Sequence, residues 1–469
     1  MKRVRAAVNR VRGPLKRITK HWRSAAVLIG LLLVLSVENP PSMSMEARVD
    51  RELTGRQFDF LTWEIEALWQ KFTHGLLSPQ RAMTDQAQRD FVLEYLALVG
   101  EAQSLEDQIR RFYVNPEIEN PEAVTAGVRA RRTELRAAIR ARQPLAEAIL
   151  EEQVATVLAD EGFGLLGQDL PPVKMHFTPL PQLLVISPRD RIDRIFQLNL
   201  EHGLSTAERE AIEEQIDSTF DVSSLVTGIG GLSAYPAMLL ESSSVNWAAE
   251  VTAHEWTHHY LSPRPLGRYY LSSGETRTIN ETVASIVGKE IGRQVVARYY
   301  PKHLPPEPEP RPEPSEEEPP EPSEPPVFDF RQEMRETRIR VDELLAEGRI
   351  EEAEAYMERR RRVFVEHGYA VRKLNQAYFA FYGAYADHPG AAGEDPIGPA
   401  VREVFDRSPD LRTFVDSLAG VTTLEELETV VGELRQQPSA QGSLTPADDG
   451  LSTEIPLGCL PNQVGHSGN

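Results

Sequence analysis

Two histidines four residues apart, His254 and His258, bracket Glu255 in the run T-A-H-E-W-T-H-H-Y at residues 252–260. On a helix, positions i and i+4 project from one face, so two imidazoles can grip one metal ion with the Glu255 carboxylate beside them. That is the layout of a zinc hydrolase, with the glutamate as general base. A catalytic zinc takes three protein ligands and keeps one position for water, so a third ligand must come from elsewhere. Glu281 is the best placed: it follows His258 by 23 residues, sits near the start of a predicted helix, and shares a face with Ala284, Ser285, Gly288 and Gly292. Side chains that small let two helices lie close, which delivery of a short carboxylate to a shared metal requires. Glu275, in a Ser-Ser-Gly turn, and Glu290, farther along the helix, are rivals.

The elements around these residues have to hold them in register. Asn246 is a predicted cap for a helix carrying Val251, His254, His258 and Leu261 on one stripe. A predicted strand at 237–241 leads into that helix, either as an edge that pairs with an extended peptide or as a covered one. Further strands are expected at 173–177, 183–187 and 224–227, and Ser205 with Glu208 forms a capping box opening another helix. The glycine cluster at 228–231 lacks a Gly-Lys-Ser/Thr ending, so it reads as a tight turn and not a phosphate loop.

His254-Glu255-Trp256-Thr257-His258 followed by Asn280-Glu281-Thr282-Val283-Ala284 resembles the gluzincin metallopeptidases, whose H-E-x-x-H and downstream N-E-x-x-A/S supply two His and one Glu to zinc. The resemblance covers about residues 225–300 and implies peptide-bond hydrolysis at a Zn2+ ion held by His254, His258 and Glu281, with Glu255 as the base. More loosely, the exported architecture and Leu374-Asn375-Gln376-Ala377-Tyr378 look like bacterial membrane-linked proteins predicted to be aminopeptidases. Several gluzincins have an aspartate four residues after the ligand glutamate; here that position is Ser285, which implies a weaker or a different residue to orient a histidine, Asn280 among them. Tyr378, Tyr382 and Tyr385 recur at helical spacing as possible oxyanion donors, although such a stripe equally suits a core. His259 points about 100° round the helix from His258 and is not expected to be a ligand. An aminopeptidase would need an acidic anchor for the substrate amine, for which Glu241 and Glu275 are candidates.

Composition narrows the partners. The chain has 469 residues, 41% of them hydrophobic, and a formal charge of −20, which excludes a disordered protein and argues against a nucleic-acid partner. One cysteine, Cys459, rules out a disulfide framework or thiolate zinc cluster within the chain. Nine Lys or Arg and no acid in residues 1–23 precede an uncharged apolar stretch at 24–37, the pattern of a signal anchor, or of a cleaved signal, either of which sends the remainder out of the cytoplasm. The expected organisation is a basic segment and anchor at 1–44, a helical domain at 45–167, a zinc peptidase core at 168–303, a proline- and glutamate-rich insertion at 304–326, a helical domain completing the core at 327–435, and a polar tail at 436–469. The expected fold is α+β and predominantly helical, with a small mixed or antiparallel sheet packed on the H-E-x-x-H helix. The reading is a membrane-attached zinc metallopeptidase acting on peptides or proteins; the alternative is a non-catalytic envelope scaffold with a structural zinc, which would have no use for Glu255.

Overall fold

A computed structural model of the chain describes residues 44–75, 78–114, 118–165, 168–169, 171–305, 328–385, 391, 393 and 395–436. The basic and apolar N-terminal stretch, nearly all of the proline-rich tract, and the tail lie outside them. Two units are present, Met1–Gly55 and Arg56–Asn469. The first contributes α1 (Met45–Glu52), capped by Ser44, whose hydroxyl accepts from the Ala47 amide.

In the second unit α2 (Phe60–Gly75) precedes two long helices, α3 (Asp85–Val114) and α5 (Ala126–Asp160), separated by the single turn α4 (Pro121–Val124). A two-residue hairpin, β1 (Gly164–Leu165) and β2 (Gln168–Asp169), leads to β3 (Met175–Phe177), β4 (Gln182–Pro188) and β5 (Phe196–Leu200). After α6 (Thr206–Phe220), which opens on the expected Ser205–Glu208 capping box, come β6 (Val222–Thr227), β7 (Gly231–Leu232) and β8 (Ala237–Leu239). Then follow α7 (Val245–Leu261), α8 (Pro265–Arg268), α9 (Gly274–Tyr299), α10 (Phe330–Ala346), α11 (Ile350–Glu366), α12 (Gln376–Tyr382), α13 (Ile397–Arg407), α14 (Leu411–Leu418) and α15 (Leu424–Gln436). The fold is α+β and predominantly helical, as the sequence predicts.

The strands form two small three-stranded sheets. One is antiparallel in the order β5-β4-β6; the other runs β3-β8-β7, with β3 parallel and β7 antiparallel to β8. The strand leading into the histidine helix is therefore not an edge. β8 is paired on both sides, and the edge position belongs to Gly231–Leu232, part of the glycine cluster read from sequence as a turn. α7 is capped by Ser244, whose hydroxyl accepts from the Trp247 amide, while Asn246 lies inside the helix and donates its side-chain N–H to the His303 carbonyl.

A helix apolar on nearly all sides must be wrapped by others. α7 and α9 are such helices, and the larger core closes around them with α3, α5, α13, α14 and α15; the division expected near residue 167 does not interrupt it. Each fully buried aliphatic or aromatic side chain there contributes about 1.5–3 kcal/mol. A second cluster joins β4 and β6 to α10, α11 and α12. α10 and α11 form a hairpin, turning at Gly348 with φ of 73°, a conformation that favours glycine. The aromatic run at 378–382 lies on α12. The Arg-rich stretch of α5 is a solvated face laced to acids, through Arg131–Glu101 and Arg136–Glu106, and the helical stripe Leu61, Ile65 and Leu68 on α2 is exposed.

Candidate metal centre

His254 and His258 sit one turn apart on α7, and Glu281 reaches them from the second turn of α9. The helices meet almost backbone to backbone. A Cβ on Gly288 would lie 3.0 Å from both the Glu250 carbonyl and the His254 Cβ, and one on Gly292 would lie 2.8 Å from the Glu250 Cα. The small-residue face behind Glu281 is thus the surface on which α9 rests against the histidine helix.

Three potential ligand atoms converge there. His254 Nε2 and His258 Nε2 are 3.2 Å apart, and Glu281 Oε2 lies 3.5 Å from the first and 3.7 Å from the second. Tetrahedral coordination at 2.0–2.1 Å sets ligand atoms about 3.3–3.4 Å apart, so the triangle matches the size of a bound first-row metal ion. Glu281 Oε2 is buried and finds no hydrogen-bond partner, an unmet demand that a cation would satisfy. His254, His258 and Glu281 can together hold a metal ion, and they are the one such group among the described residues.

Neighbouring side chains fix the ligands. Asn280 donates from Nδ2 to the Leu266 carbonyl, so its Oδ1 is left to accept from His258 Nδ1 at 2.7 Å. In its neutral form His258 therefore carries its proton on Nδ1, with the Nε2 lone pair facing the other ligand atoms. Asn280 supplies for His258 the orienting acceptor that Ser285 could not be relied on to give. The Tyr270 hydroxyl donates to Glu281 Oε1, leaving Oε2 for the metal. Burial pushes the Glu281 carboxyl up, but the charges of His258 and His254 and these hydrogen bonds outweigh it and hold the group at about 2. Burial and the Glu281 charge in turn push the Tyr270 phenol well above its usual range, so it stays a donor.

Glu255 is 5% exposed, and its carboxylate lies against Gly231 of β7. Ser233 donates a hydroxyl to its Oε2. A Cβ at Gly231 would fall 2.1 Å from Oε1, so the carboxylate occupies space that only glycine leaves open. His259 is not a ligand: its Nε2 donates to the Ala234 carbonyl at 2.8 Å and its ring packs edge-on against Tyr235, steadying the loop that carries Ser233.

The remaining candidates are engaged elsewhere. Glu275 accepts from the Leu424 amide, Glu290 holds Arg293 and Gln294, and Glu241 is bound to Arg136, and none of the three joins the metal group. Tyr382 shares a hydrogen bond with the Thr227 hydroxyl, which ties α12 to β6, while Tyr378 packs on Tyr382 and Tyr385 meets Phe381. Tyr270, Ser233 and Gly231 escaped the sequence reading. The first two lie in connectors with no periodicity to mark them, although a glycine cluster just before the strand entering α7 is a signal of close backbone approach.

Comparison of the chain with protein-family models, with curated proteins and with solved structures returns no match.

Proposed function

We propose that the protein is a zinc metallopeptidase of the gluzincin type, attached to the membrane through its N-terminal segment and acting on peptides or proteins outside the cytoplasm. The observation that carries this reading is the orphaned, buried Oε2 of Glu281 set against two histidine nitrogens, with a separate carboxylate, Glu255, held on the same helix as the histidines. A donor set of two imidazoles and one carboxylate suits zinc. His254, His258 and Glu281 would hold the ion. Zinc, when bound, supplies Lewis acidity, bringing the pKa of a water toward about 7 and polarising a carbonyl. Glu255 takes the proton from the attacking water and delivers it to the leaving amine. Ser233 and the space at Gly231 keep that carboxylate in one orientation for both transfers. The short edge strand β7, next to Glu255, offers backbone groups to an extended peptide. A purely structural zinc site would close with a fourth protein ligand and would gain nothing from Glu255.

The test pairs metal content with cleavage of a broad peptide library by the full-length protein, alongside Glu255→Gln and Glu281→Ala. Zinc at one per chain with cleavage that depends on Glu255 is the expected result. Bound zinc with no cleavage across the library would favour the scaffold, and undiminished zinc affinity in Glu281→Ala would remove the third ligand.

A further inference from the structure

Two buried arginines stand beside the metal group without acidic partners. Arg194 lies in the connector before β5 and is 8% exposed; Arg277 lies on α9, one turn before Glu281, and is 5% exposed. Neither forms an ion pair among the described residues. Arg277 Nη2 approaches the Arg194 carbonyl at 3.5 Å, and its Nε has no partner. On Arg194 the unpartnered groups are Nε and Nη2. Those two N–H groups lie on the same edge of the guanidinium, the one that takes both oxygens of a carboxylate side-on.

The surroundings do not complete this pair internally. Asp193, whose charge Arg277 feels, reaches toward Arg191 at 3.8 Å. Arg194 also bears on the Tyr270 phenol, which donates to Glu281. Through Tyr270 the arginine pair is one side chain away from the metal ligands. Burying two like charges side by side without an ion-pair partner is costly, and Arg277 registers it: burial, and then Arg194, lower its pKa to about 10, more than the charges of Asp193 and Glu281 offset. In a chain with a formal charge of −20 and acids to spare, leaving these two unpaired reserves them for an anion from outside.

We propose that Arg194 and Arg277 form a carboxylate-binding subsite beside the metal group, so that the substrates are peptides carrying a carboxylate near the scissile bond. The inference rests on the peptidase reading for its substrate class. Two sources share the chemistry, a free C-terminus and an Asp or Glu side chain, and the experiment separates them.

Binding of three probes to the zinc-loaded full-length Glu255→Gln protein is measured by calorimetry: pentaalanine with a free C-terminus, pentaalanine amide, and the amide with each alanine in turn replaced by glutamate. One carboxylate-bearing probe is expected to bind about tenfold or more tightly than the plain amide, as charge-assisted hydrogen bonds imply. Preference for the free acid assigns the C-terminus; preference for a glutamate-bearing amide assigns the side chain. Arg194→Met and Arg277→Met, each apolar and therefore tolerated by burial, should abolish that preference with zinc content unchanged. Equal binding of all probes by the parent protein overturns the subsite without reference to any variant, as does a preference that survives both substitutions. Cleavage by the wild type without carboxylate preference sinks the subsite alone, whereas carboxylate binding without cleavage supports the subsite and sinks the peptidase.

Discussion

At the scale of single residues, Glu255 and the ligands depend on different neighbours, so their roles can be separated by substitution. Glu255→Gln removes the proposed base and leaves His254, His258 and Glu281 untouched; zinc content by mass spectrometry should be unchanged while the rate of peptide cleavage falls about 10²–10⁴-fold. Gly231→Ala should reach the same outcome with the carboxylate still present, because a methyl there collides with Oε1 and turns the group away. Asn280→Ala acts on the other side of the site. It strips His258 of the acceptor that fixes its tautomer, and competition with a chromogenic chelator should show metal affinity down about 10–100-fold. The convergence of His254, His258 and Glu281 was legible in the sequence because helical spacing carries it: His254 and His258 are one turn apart and Glu281 opens the small-residue stripe of α9. Ser233, Tyr270 and Arg194 could not, because each reaches the site from a connector, where no period ties a residue's position to its direction.

At the scale of elements, the seam between α7 and α9 sets the site's dimensions. Gly292→Ala would bring a Cβ to 2.8 Å from the Glu250 Cα, a clash with backbone that no rotamer relieves. Overpacking of this kind costs about 1–3 kcal/mol, to be read as a lower urea midpoint with an unchanged slope. This contact was legible, since Ala284, Ser285, Gly288 and Gly292 mark one face of a helix. The sheet beside it was less so. A two-residue strand containing glycine has no alternation to detect, so β7 leaves no trace in the sequence and the choice between an edge and a covered strand at β8 stays open there. Periodicity likewise finds an amphipathic helix such as α2 but does not tell which stripe the rest of the molecule covers, and Leu61, Ile65 and Leu68 remain exposed.

At the scale of the whole molecule, a buried charge cluster on α5 ties α2 to the β3-β8-β7 sheet. Glu147 takes Lys71 at 2.7 Å and His176 at 3.0 Å, and accepts from the Phe177 amide. Burial raises its pKa from the ordinary 4.5, but Lys71 and then His176 more than offset this and hold it at about 2. Because the folded value lies below the unfolded one, the stabilisation is complete above about pH 4.5 and is lost as pH falls toward 2. Lys71→Met should therefore lower stability at neutral pH by about 3–5 kcal/mol, the cost of stranding a buried charge, and move the acid limb of the urea-midpoint profile to higher pH. The backbone-close seam of α7 and α9 also makes the ligand triangle a gauge. Two of its corners ride on one helix and the third on the other, so a chelating dye present during thermal melting would register the parting of these two helices and stay silent while the α10–α11 hairpin loosens. Metal release would then time the failure of the central core within an otherwise single unfolding signal.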